Sequence, residues 1–138
     1  MDQIEKLARL LVEFYERFSS WEQGVVKETG LSLPQMHTLE ILGSSGQLRM
    51  KELAGKMGIT TGALTVLVDR LVRAGLVARQ PNEQDRRSIR VGLTEEGAKY
   101  IREHHKLHRQ LTHELASALE PAELAALLAS IPKLNASF

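Results

Sequence analysis

Apolar residues in the first thirty positions recur at alternating intervals of three and four, from Ile4 to Val25. This spacing predicts a long helix with one apolar face that packs along another helix. Gly30 is expected to end the segment, and Ser32 with Gln35 forms a capping-box pattern for the next helix. Because a lone helix cannot bury so much apolar surface, its partner is either the C-terminal helices or a second subunit.

The C-terminal part of the chain repeats this helical pattern. Thr94 is a residue type that caps helices, and a seam in steps of three and four then runs from Gly97 to Ala118. Pro121 is expected to begin a final helix, and Pro132 is expected to end it.

The centre of the chain has the pattern of two short helices joined by a tight turn. The first is expected to end at Gly58, because glycine adopts the left-handed conformation that closes a helix. Thr60 and Thr61 then offer side-chain oxygens to cap the second helix, which carries one apolar stripe and ends at Gly75. This arrangement predicts a helix-turn-helix unit.

Strand-like segments follow this unit. Leu76–Arg79 and Ile89–Leu93 are predicted to be strands, and the polar run 81–88 between them is predicted to be a turn. Leu48 is expected to add a short strand beside this hairpin. The predicted fold class is therefore mainly α with a small antiparallel β wing, a winged helix-turn-helix flanked by N- and C-terminal helices.

Charge is concentrated in this central region. The 138-residue chain has a formal net charge of +1, yet Gly46–Arg90 contains nine Lys or Arg against four Asp or Glu, a net of +5. A basic centre within a nearly neutral chain is the electrostatic footprint of phosphate binding. If charge is considered alone, the alternative to phosphate binding is a basic surface that is only exposed to solvent.

Composition narrows the class of protein further. The chain contains no cysteine, which excludes disulfides, thiolate metal ligands and thiol redox sensing. It contains no long uncharged apolar run, and its first residues do not have the pattern of a signal peptide. We therefore expect a soluble, cytoplasmic protein with no membrane partner.

Two motifs resemble those of a known family. Asp85-Arg86-Arg87, followed by the run from Val91 to Gly97, is similar to the Asp-x-Arg wing signature and Leu-Thr-x-x-Gly sequence of the MarR family. These are the multiple-antibiotic-resistance-type regulators. The run from Val68 to Val77 resembles the recognition helix of that family and the strand after it.

The resemblance extends over nearly the whole chain and implies a homodimeric transcriptional regulator, 1–138 being one unit. It implies that the helices of 1–30 and 94–138 form the dimer and that 31–93 is the DNA-binding region. The implied partner is double-stranded DNA with a pseudo-palindromic operator. We expect a repressor that requires no cofactor and whose affinity for DNA is modulated by a small ligand or a metal.

The face of the recognition helix opposite its apolar stripe is expected to contact DNA. The N-terminal residues of such a helix reach base edges in the major groove. Threonine hydroxyls can hydrogen-bond bases or phosphates, and an outward Val66 can meet a thymine methyl group. Arg70 and Arg73 are expected to hold phosphates, which position the protein without specifying sequence. The predicted contacts on this helix are Thr60, Thr61, Gly62, Thr65, Val66, Arg70 and Arg73.

The tip of the wing supplies the remaining predicted contacts. The resemblance implies that Arg87 enters the minor groove and that Asp85 orients it, and Arg86 belongs to the same predicted surface. The alternative is a surface ion pair between Asp85 and Arg86, which would contribute little to stability.

Two histidines lie at apolar positions of the C-terminal seam. His104 and His108 are four residues apart, so they project from one helix face, a spacing that suits two imidazoles on one metal ion. A zinc-sensing branch of the family resembles the chain here, and it places another histidine where His37 stands. Glu22 or Glu28 could complete the site, although that branch also uses a cysteine. Alternatively, the pair lies at the dimer interface or lines a ligand pocket.

Three function classes compete for this sequence. A DNA-binding regulator accounts for the helix-turn-helix, the wing and the charge asymmetry. A winged-helix module that binds proteins leaves the exposed arginines unexplained. A zinc hydrolase built on the histidines lacks a recognisable nucleophile, oxyanion arrangement or general base. The sequence therefore predicts a regulator that is not an enzyme.

Overall fold

Six helices and three strands follow one another in the described residues, 2–81 and 88–138, of the computed structural model. Their order and bounds are α1 (Gln3–Lys27), α2 (Leu33–Ser45), β1 (Leu48–Arg49), α3 (Met50–Met57), α4 (Thr61–Arg73), β2 (Val77–Pro81), β3 (Ile89–Leu93), α5 (Glu95–Ala116) and α6 (Pro121–Asn135). The chain divides into two compact units, one ending at Ala98 and the other formed by Lys99–Phe138. The predicted fold class is confirmed, while the assignment of 1–138 to one unit stays a prediction.

The start of α2 has the predicted capping box. The Ser32 hydroxyl accepts a hydrogen bond from the backbone N–H of Gln35 at 3.2 Å. In return, the Gln35 side chain accepts one from the backbone N–H of Ser32 at 2.8 Å. Two N–H groups that the helix itself cannot satisfy are thereby paired. On the inner face of α2, Met36 and Leu39 are buried.

The helix-turn-helix is closed by local interactions that the sequence predicted. Gly58 adopts a left-handed φ of 67° after α3, and the Ile59 N–H then donates to the carbonyl of Ala54 at 3.1 Å. The Thr60 hydroxyl caps α4 by accepting from the Ala63 N–H at 3.1 Å. A second left-handed glycine, Gly75, follows the C-terminal end of α4. The entry and exit of the second helix are therefore fixed by short-range chemistry.

The three strands form one antiparallel sheet in the order β1-β3-β2. Leu48 lies opposite Val91 in the first pair of strands, and Val77 lies opposite Leu93 in the second. Leu48, Val77 and Val91 are buried. Because side chains alternate between the faces of a strand, this register directs one face of the sheet to the core and leaves Arg49 and Arg90 on the other.

The Leu-Thr-x-x-Gly sequence forms the joint between the sheet and α5. The Thr94 hydroxyl donates to the carbonyl of Gly75 at 2.7 Å and accepts from the N–H of Gly97 at 3.1 Å. The Thr94 N–H donates to the carbonyl of Leu76 at 3.1 Å. A Cβ atom at Gly97 would overlap the carbonyl group of Leu76. Thr94 therefore ties the start of α5 to the exit of α4, and only glycine allows so close an approach.

The prediction that Pro132 ends the final helix is wrong. Helix α6 continues to Asn135 with Pro132 inside it. Proline removes one N–H donor from the ladder, but the carbonyl of Pro132 still accepts from the N–H of Ala136 at 3.0 Å. So close to the end of the helix, a single missing hydrogen bond does not stop the remaining turn.

Candidate nucleic-acid interface

Helix α4 buries one face and exposes the other. Leu64, Val68 and Leu71 are fully buried. All seven predicted contacts on or beside this helix are exposed: Thr60, Thr61, Gly62, Thr65, Val66, Arg70 and Arg73. Their assignment to DNA stays a prediction, since exposure alone does not identify what a surface binds.

The threonines at the start of α4 differ in the hydrogen bonds they have available. The Thr60 hydroxyl already accepts a bond as the helix cap, so its proton is what it has left to donate. The Thr65 hydroxyl donates to the carbonyl of Thr61 at 2.8 Å. In this rotamer Thr65 presents lone pairs, which favours a donor such as a base amino group over a phosphate oxygen.

An ion pair that the sequence did not indicate joins α4 to the sheet. The guanidinium of Arg79, on β2, donates to the carboxylate of Asp69, on α4. Asp69 is partly exposed on α4, where a lone carboxylate would repel phosphates. The ion pair offsets that charge within the protein. An acidic residue on an otherwise basic face was the only clue in the sequence.

The predicted contacts at the wing tip, Asp85, Arg86 and Arg87, lie outside the described residues. The last described pair of the hairpin is Pro81 opposite Ile89. Strands β2 and β3 therefore define the base from which the segment 82–87 continues, and the roles of its arginines stay predictions.

In the second unit, His104 and His108 form a close pair. Their Nε2 atoms are 3.0 Å apart, and their ring centroids are 4.6 Å apart with an interplanar angle of 61°. His104 is only 2% exposed and His108 is partly buried. This distance suits a hydrogen bond whose donor depends on the tautomers, and two unprotonated Nε2 atoms this close could instead bind one metal ion. His105 and His113 are exposed.

The other predicted metal ligands lie in the first unit. His37 and Glu28 are exposed, whereas Glu22 is partly buried. A carboxylate oxygen of Glu22 lies within 4.8 Å of one of Glu40, a residue that sequence reasoning missed. The spacing of α1 and α2 in the sequence does not reveal this approach, because it depends on how the two helices pack.

The residues that form the helix-turn-helix and most of the wing match a known family model. The model is described as the MarR family and matches residues 31–89. A similarity over nearly the whole chain establishes the family. The chain is 30% identical over 135 residues to the multiple antibiotic resistance protein MarR of Salmonella typhimurium. The match covers 94% of this chain and 93% of that protein. The chain belongs to the MarR family. The resemblance inferred from the sequence motifs is thus confirmed, and the family comprises DNA-binding transcriptional regulators rather than enzymes.

Solved structures of this family have the same fold. A MarR-family protein from Bacillus stearothermophilus is 25% identical and superposes with a TM-score of 0.91, covering 99% of this chain and 97% of that one. FabT from Streptococcus pneumoniae, crystallised in complex with DNA, is 20% identical with a TM-score of 0.87, covering 96% of this chain and 95% of its own.

Among the described helices of our chain, none has the length and apolar character needed to cross a membrane.

Proposed function

We propose that this MarR-family regulator binds a pseudo-palindromic operator as a homodimer and represses transcription from it. The observation that carries the proposal is the capped recognition helix, which presents polar and arginine side chains beside a basic wing. The FabT complex with DNA supports it by showing that a protein of this fold binds a duplex. A two-fold symmetric protein requires a two-fold site, with half-site centres roughly 10 bp apart or a multiple of that distance.

Exposed apolar surface supports the dimer. Large apolar residues of α1, including Ile4, Leu7, Leu11 and Phe14, are exposed in the single chain. In the second unit, α6 likewise exposes Leu124, Leu127, Leu128, Ile131 and Leu134. Contiguous apolar patches on a soluble protein mark interaction sites. A second copy of the chain is the partner that the family assignment favours.

Footprinting on DNA upstream of the protein's own gene tests operator binding. We expect protection of two symmetric half-sites and, in a transcription assay, lower output from that promoter. In an Arg73→Ala variant, the slope of log affinity against log salt concentration should be shallower by about one for each bound subunit. A chain that shifts no duplex from its own promoter or from a random pool would be a protein-binding winged helix instead.

We further propose that a small ligand or a metal modulates this affinity, and the close pair of His104 and His108 makes zinc the metal to test first. Two imidazoles supply half of the four ligands that zinc usually takes. His37, with Glu22 or Glu28, is the predicted remainder. Metal binding would change operator affinity by the ratio of its affinities for the DNA-competent and incompetent states.

Calorimetry with zinc on chelator-stripped protein tests this effector. We expect binding tighter than micromolar that is lost in a His104→Ala/His108→Ala variant, while operator binding without metal persists. Single variants His37→Ala, Glu22→Gln and Glu28→Gln identify the remaining ligands by their loss of zinc affinity. If wild-type protein shows no zinc binding tighter than micromolar, the effector is an organic ligand or the histidines only support packing.

A further inference from the structure

Two arginines lie directly opposite each other on the outer face of the sheet. In the β1–β3 pair, Arg49 is the register partner of Arg90, one residue from the buried pair of Leu48 and Val91. Side chains of directly opposed residues have Cβ atoms roughly 5 Å apart, and like charges in such pairs are destabilising. Among residues 2–81 and 88–138, no carboxylate forms an ion pair with either guanidinium. The fold therefore holds two positive charges together.

Amide groups extend this row of polar side chains. Gln80 is the register partner of Arg90 on its other side, in β2. The Gln80 carbonyl oxygen accepts from the side-chain amide of Gln47 at 2.7 Å, so the Gln80 amide nitrogen is left to donate outwards. The Gln47 side chain packs against Gly92: a Cβ atom added to Gly92 would come within 2.8 Å of the Gln47 Cγ. The outer face is thus rich in donors: the Gln80 oxygen is already occupied, and the Glu52 carboxylate accepts from the backbone N–H of Arg49 at 3.1 Å without forming an ion pair with its guanidinium.

The row lies between the two elements that meet DNA in the proposed function. Arg49 is the N-cap residue of α3, the first helix of the helix-turn-helix, and that helix crosses the nucleic-acid backbone in such motifs. Arg90 is the second residue of β3, the strand that leads from the wing. A surface between a backbone-crossing helix and a wing faces phosphates rather than base edges.

We propose that Arg49 and Arg90 together clamp one backbone phosphate of the bound duplex. Arginine presents a planar fork of donors that matches phosphate oxygens, and an anion between two guanidinium groups removes their mutual repulsion. The clamp rests on the proposed DNA binding, and it adds a phosphate contact outside both the recognition helix and the wing tip. It positions the protein on the duplex and reads no sequence.

The salt dependence of binding tests the clamp. An Arg49→Gln/Arg90→Gln variant and a matched control, Arg102→Gln on α5, are titrated with a duplex that the wild-type protein selects from a random pool. Loss of one phosphate contact in each subunit should make the slope of log affinity against log salt shallower by roughly 1.8 for the dimer. Affinity at low salt should fall at least tenfold, while the control matches wild type.

The variant Arg73→Ala separates failure of the clamp from failure of the proposed function. If Arg73→Ala weakens binding and the double variant equals the control, the clamp is wrong and DNA binding stands. If the wild-type chain binds no duplex, both ideas fail together. A second readout requires no DNA: inorganic phosphate should raise the melting temperature of wild type more than that of the double variant. An equal rise in both would also overturn the clamp.

Discussion

At the scale of single residues, Gly97 shows how one missing side chain permits a joint between elements. The backbone of α5 passes so close to the carbonyl of Leu76 that a Cβ atom would overlap it. The obstructing group is backbone, which cannot rotate away as a flexible side chain can. The glycine of the family motif is therefore explained by packing, separately from any contact with DNA.

We expect Gly97→Ala to lower the free energy of unfolding by about 1–3 kcal/mol or more, the usual cost of overpacking a well-packed site. Chemical denaturation measures it. Gly55→Ala is the matched control, because Gly55 lies within α3 and an added Cβ there would meet nothing within 4 Å. That change should be neutral or stabilise the protein by up to about 1 kcal/mol. Equal stability of the two variants would show that the joint can relax.

At the scale of elements, the ion pair between Asp69 and Arg79 connects the recognition helix to the sheet. Both side chains are partly exposed, so the pair contributes little to stability. In the proposed function, its larger effect is on the charge that α4 presents to DNA. With Arg79 in place, the carboxylate of Asp69 is neutralised on a surface that should attract phosphates.

We expect Arg79→Gln to weaken operator binding, because the charge of Asp69 is then no longer offset. Adding Asp69→Asn to that variant should restore part of the lost affinity, since the repelling carboxylate is removed while the cation is still missing. Fluorescence anisotropy with labelled duplex compares the single and the double variant at fixed salt. A double variant that binds no better than Arg79→Gln would show that Asp69 does not act on DNA through its charge.

The helix ends and turns could be predicted from the sequence where nearby residues determine them. The cap at Thr60, the capping box at Ser32 and the left-handed turn at Gly58 depend on residues within a few positions, so the sequence was sufficient for them. The Asp69–Arg79 pair joins positions ten apart through the packing of a helix on a strand. No periodicity in the sequence encodes such a pairing. The approach of Glu22 to Glu40 was missed for the same reason, and Pro132 was given too much weight as a helix breaker.

At the scale of the whole molecule, the apolar face of α1 determines the assembly we propose. Phe14 belongs to the stripe predicted from the sequence and is 56% exposed in the single chain. An aspartate there is solvated in the monomer but would lie unpaired in an apolar interface of the dimer. Burying such a charge costs several kcal/mol, whereas the isolated chain loses little.

We therefore expect Phe14→Asp to yield a folded monomer whose affinity for the operator is greatly reduced, because a single winged unit engages only one half-site. Sedimentation velocity at micromolar concentration measures the state of assembly, and circular dichroism confirms the fold. Val12→Asp is the matched control: Val12 is also 56% exposed, yet helical spacing places it on the side of α1 away from the stripe. Val12→Asp should remain dimeric. If Phe14→Asp also remains a dimer that binds DNA, Phe14 faces solvent in the assembly and another surface joins the two copies.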